Sequence, residues 1–138
     1  MTNQEILGTL VLVHPNLENH PAGREGEIGI VSYVDARQNE IHLQFTDHAE
    51  AVYPSDALFL LKQKEQIFTK GSDATNAATL SAYKDLFKIA TLMEMGRSTD
   101  IWKALEVARD NPEVWPASLV SVEESLGLRN NRYVGVGR

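Results

Sequence analysis

The chain has no cysteine, which excludes disulfides and thiolate chemistry and suits a reducing compartment. It also lacks any apolar run near the ~20 residues that a membrane-crossing helix needs. Leu7 to Val13 follows Glu5 with no basic residue before it, the wrong flank for a secretory signal, so the expected location is the cytoplasm with no membrane partner. Positive charge is scarce in the first half. Residues 1–70 hold 5 Lys and Arg against 10 Asp and Glu, residues 71–138 hold 8 against 9, and the net charge is −6. Affinity for a phosphate backbone comes largely from basic groups that displace counterions, so the first half is a poor nucleic-acid surface. Its field favours a basic protein surface.

Motifs for chemistry are missing too. There is no Gly-x-Ser-x-Gly elbow, and the ladder Gly23-Arg24-Glu25-Gly26-Glu27-Ile28-Gly29 lacks the Gly-Lys-Ser/Thr of a phosphate loop and leads into a strand. The 4 histidines, His14, His20, His42 and His48, form no His-x-His or His-x-x-x-His pair on one element, so no metal site is expected. Two histidines converging with Asp47 or Asp56 in the fold would reopen a catalytic route. The acidic pairs Glu25 with Glu27 and Glu123 with Glu124 read as solvated surface charge. The expectation is a protein that is not an enzyme and takes no cofactor.

What is present is a folded chain, 43% hydrophobic and 23% charged. Thr9 to His14 reads as a strand with aliphatic residues on both sides, Leu10 and Leu12 against Val11 and Val13, which predicts burial of both faces. The cover for its second face is either this chain's helices or another copy. His14 to Gly23, with two prolines and two asparagines, is a long loop. Glu27 to Asp35 is a strand whose internal Gly29 marks a bulge, bend or close approach. Glu40 to Thr46 alternates, with Ile41, Leu43 and Phe45 inward. Ala49 to Tyr53 follows, then a helical turn at Pro54-Ser55-Asp56 and a strand from Leu58 to Lys62. A competing reading runs a helix from Ser55 to Gly71.

Val11-Leu12-Val13, then Gly23 and Gly26 at three-residue spacing, then Gly29-Ile30-Val31 resemble the strand and glycine pattern of KOW-type modules within an SH3-like barrel. The resemblance covers residues 1–62 and implies a five-stranded barrel, a fold that hosts nucleic-acid, peptide and methyl-lysine binders alike. Residues 63–76 read as a linker. Residues 77–127 read as a three-helix element packed on the barrel, in an α+β chain. Its first helix spans Ala77 to Met95, with Leu80, Tyr83, Leu86, Phe87, Ala90 and Met93 as the apolar face and Gly96 as cap. The second, capped by Ser98 or Thr99, runs to Arg109 on Ile101, Trp102, Leu105 and Ala108. The third opens at Pro116 or Ser121 and stops at Gly127. Residues 128–138 form a basic tail, read either as a frayed terminus or as an arm.

The first functional expectation is an adaptor module that binds another protein through Tyr33 and Tyr53 at the barrel rim with His20 and Arg24 in the loop; Trp102 and Trp115 are helix packing residues. The alternative, implied by the KOW resemblance, is nucleic-acid or ribonucleoprotein binding through Arg24, Arg37, Arg129 and Arg132. Self-association stays open.

Overall fold

A computed structural model describes residues 2–17, 22–67 and 80–127 of the chain. Thr2 caps α1 (Asn3–Ile6): its hydroxyl accepts from the Glu5 N–H at 3.1 Å, and the Glu5 carboxylate accepts from the Thr2 N–H at 3.1 Å. The chain then enters β1 (Leu10–Val13), whose apolar residues on both sides make it an interior strand. It pairs antiparallel with β2 (Ile28–Asp35) on one edge and β5 (Leu58–Leu61) on the other. Val11, Leu12 and Val13 are completely buried, so both faces of β1 are closed within one chain.

Strand β2 continues into β3 (Glu40–Gln44) and β4 (Glu50–Tyr53) as an antiparallel meander. The alternation of β3 holds: Ile41, Leu43 and the adjoining Phe45 are buried, while Gln44 is exposed. Gly29 answers to close approach, since a Cβ there would lie 3.1 Å from the Phe45 ring and 3.3 Å from the Gln44 carbonyl oxygen. The bulge itself falls later, where the β2–β3 register shifts between Val31 and Tyr33. A 3-10 turn (Ser55–Ala57) leads into β5, so the competing helix from Ser55 does not form.

The expected closed barrel of five strands is corrected. A sixth strand, β6 (Leu119–Ser121), joins one open sheet in the order β4-β3-β2-β1-β5-β6. The free edge of β5 is taken by β6, while β4 and β6 stay at opposite ends with no pairing to close the sheet. The chain forms two compact units, Met1–Phe59 with Ser121–Arg138, and Leu60–Val120.

In the second unit the expected linker is helical at α2 (Lys64–Ile67), where Ile67 is fully buried; residues 68–79 lie outside the described part. Helices α3 (Leu80–Met95) and α4 (Ser98–Asp110) pack together, and their buried positions include Ala82, Leu86 and Ile89 on one and Ala104, Leu105 and Ala108 on the other. The predicted apolar face of α3 holds at Leu86 but not at three of its other positions. Leu80, Tyr83 and Phe87 are 70%, 43% and 52% exposed, because this helix is apolar on two sides and its period alone cannot choose between them. The cap of α4 is also corrected: Arg97 stands at the cap position, and the Asp100 carboxylate accepts from its backbone N–H at 3.3 Å and its Nε at 2.7 Å.

After α4 come a 3-10 turn (Pro112–Val114) and α5 (Trp115–Ser118), a short helix around the earlier of the two expected starts, Pro116. Trp115 donates from Nε1 to the Ala108 carbonyl at 2.7 Å, and Asn111 donates to Asp85 at 2.9 Å, tying the end of α4 to α3. A helix running on from Pro116 does not form, because β6 follows α5; the Ser121 start is the one that leads to Gly127. The third helix is α6 (Val122–Leu126), in the first unit, which starts on the Ser121 hydroxyl and ends at Gly127 with φ +72°, as its cap residues predict. It packs against the Ser55–Ala57 turn.

Candidate functional site

Arg24 stands where the long β1–β2 loop returns to the sheet. Its main-chain N–H donates to the Tyr53 hydroxyl at 3.3 Å. Its guanidinium donates to both oxygens of Asp47, at 3.3 and 2.8 Å, and to Glu27 at 3.0 Å, and it lies 4.7 Å over the Phe45 ring. A bidentate pair of this kind fixes orientation as well as charge. The bond to Asp47 raises the Arg24 pKa, and the same bond holds the Asp47 carboxyl below the usual range. Arg24 therefore buckles the loop stem to the β3–β4 turn, with its charge met by two carboxylates.

This geometry corrects the rim position expected for Tyr53. Its ring is completely buried, its hydroxyl is spent on the loop, and burial pushes its pKa up. Tyr33 does lie on the surface, 56% exposed, with its ring edge-on to His42 at 5.1 Å. The two tyrosines thus belong to opposite faces of the sheet. Arg37 is exposed in the β2–β3 turn, and His20, Arg129 and Arg132 lie outside the described residues. Of the three described residues expected to form one partner site, Arg24 meets Tyr53, and Tyr33 stands apart from them.

Sequence reasoning missed the surface around Tyr33. Because the bulge gives β2 one extra residue, Ser32 and Tyr33 are both exposed, and Ser32 Oγ donates to the His42 carbonyl at 3.2 Å. Cross-strand register then sets Tyr33, His42 and Val52 in one row and Ile30, Gln44 and Glu50 in the next. Ile30 is 45% and Val52 39% exposed. Asp35 faces Glu40 beyond them, and the Glu40 carboxylate lies 3.9 Å from His42 Nε2. The alternation of β3 pointed to one outward face, but the partners of His42 and Gln44 depend on a register that only the bulge fixes.

A second feature lies at the loop's outgoing end. His14, Asn16 and Leu17 with Pro54, Asp56 and Ala57 line an open cleft of about 450 Å³. His14 Nδ1 accepts from the Asn16 N–H at 3.0 Å and the ring rests 5.0 Å from Phe59; burial lowers the pKa of this imidazole. Among the described residues no three metal-ligating side chains converge, and no helix is long and apolar enough to cross a membrane.

Comparison with protein-family models, with curated proteins and with solved structures finds no match to this chain. The class that the fold defines is a mixed α+β protein built on an antiparallel sheet.

Proposed function

We propose that this protein is a non-enzymatic interaction module that binds a basic or mixed protein surface through the outer face of β2, β3 and β4. The observation that carries the reading is Tyr33: an exposed aromatic edge-on to His42, sharing its face with Ile30 and Val52 and with the charged groups Asp35, Glu40 and Glu50. Exposed aromatics supply large contact area at small entropy cost, and neighbouring carboxylates select and steer basic partners. The strand order around β1, the bent β2 and the 3-10 turn before β5 support an SH3-like ancestry for the first unit, with the sheet left open. The nucleic-acid reading loses its first residue, because the Arg24 guanidinium is held by Asp47 and Glu27.

Selection of random displayed peptides on the full chain tests the proposal. Enrichment of Lys- and Arg-bearing peptides that fail to bind a folded Tyr33→Ala variant is the expected result. Selection of acidic peptides, or undiminished binding by the variant, would overturn it.

A further inference from the structure

Resting on that reading, we infer that β4 is the docking edge and that its occupant is an extended segment of a partner protein, bearing lysine or arginine, which adds beside it as a further strand. The hairpin bond from the Phe45 N–H to the Ala49 carbonyl, 2.9 Å, sets the phase of the β3–β4 ladder. With Leu43 opposite Ala51 and Ile41 opposite Tyr53, those pairs exchange hydrogen bonds, and alternation directs the main-chain N–H and C=O groups of Glu50 and Val52 away from β3. Strand β4 is an end strand, and among the described residues no hydrogen bond reaches these outward groups. Such an edge is a template for another strand, which shortness, charge, proline or a bulge blunts. Glu50-Ala51-Val52-Tyr53 is short but has no proline or bulge, and its one charge, Glu50, disfavours an acidic strand and leaves the edge open to a basic one.

Side chains decide what the template accepts. An added strand places every second residue on the outer face, beside Glu50 and Val52 and within the field of Glu40 and Asp35. The paired rows of β2, β3 and β4 on that face carry these three carboxylates and no lysine or arginine. A basic segment complements the charge. A second copy of β4 would bring carboxylates toward carboxylates, which destabilises pairing.

The test titrates the full chain at low salt with a short synthetic peptide that alternates lysine with threonine and valine, beside a matched peptide with glutamate in place of lysine. Exchange of the Glu50 and Val52 amide hydrogens is followed by NMR. Slowed exchange at both amides with the lysine peptide alone is expected. Val52→Pro removes an outward donor without removing a β3–β4 bond, and should weaken binding about tenfold. Unchanged exchange at the two amides in the wild-type chain overturns strand addition even where the proline variant does not fold. Equal binding of the glutamate peptide, or none of the lysine peptide, overturns it as well. Binding lost in Tyr33→Ala but kept in folded Val52→Pro overturns the edge and spares the face; binding insensitive to both sinks the two together.

Discussion

Asn39 shows how one residue can serve two needs. It takes a left-handed conformation, φ +56°, at the end of the β2–β3 turn, and its side-chain oxygen accepts from the Ser55 N–H at 3.1 Å and the Ser55 hydroxyl at 2.5 Å. Ser55 is fully buried, so it depends on that acceptor. Asn39→Ala should cost about 2–4 kcal/mol, combining left-handed strain with lost bonds. Asn39→Gly should cost less, because it removes only the acceptor; urea unfolding that ranks them the other way would refute this account. Asp47 gives a pH dependence. Its folded-state pKa is depressed by Arg24, so the pair stabilises above the ordinary aspartate range and loses that contribution as pH falls through the lower folded value. Melting temperatures measured across that acid range should fall less steeply in Asp47→Asn than in the parent chain. At this scale, composition said that an arginine sat among acids. That Arg24 would turn inward on Phe45 and Tyr53 was hidden, because the residues that hold it come from β3, β4 and the turn between them.

Elements with a single period were legible, and elements with two were not. Strand β3 alternates, and the structure follows it; β1 is apolar throughout, and the structure buries it on both sides. Helix α3 carries apolar residues around most of its circumference, so sequence placed it correctly and chose a face that is buried at Leu86 but exposed at Leu80, Tyr83 and Phe87. Its buried stripe contains Leu86, 1% exposed, in a helix that packs against α4. Leu86→Ala should destabilise by about 2–5 kcal/mol through loss of contact and a residual cavity. Denaturant unfolding of Leu86→Ala beside Leu80→Ala, whose side chain is 70% exposed, checks the assignment: similar losses would mean that the stripe is misassigned. Strand β6 was illegible for another reason. Leu119-Val120-Ser121 is too short to show a period, and Pro116 and Ser121 on either side of it read only as alternative starts of one helix.

For the whole molecule, charge makes the cleanest prediction. With a net charge of −6 and Arg24 already paired, anisotropy titrations with single-stranded RNA and duplex DNA at low salt should show no saturable binding. Saturable binding that declines steeply with added salt would restore the nucleic-acid alternative and implicate the remaining arginines. The candidate face was only partly readable: Tyr33 was picked out from sequence, but its neighbours come from three strands aligned by one bulge. The first unit is also discontinuous, since α6 packs against the Ser55–Ala57 turn although Leu60–Val120 intervenes. During synthesis, at about 5–20 residues per second, the ribosome therefore releases the meander several seconds before the helix that completes it. In that interval the Ser55–Ala57 turn, buried at Ser55 and Ala57 in the finished fold, waits for the helix that packs on it.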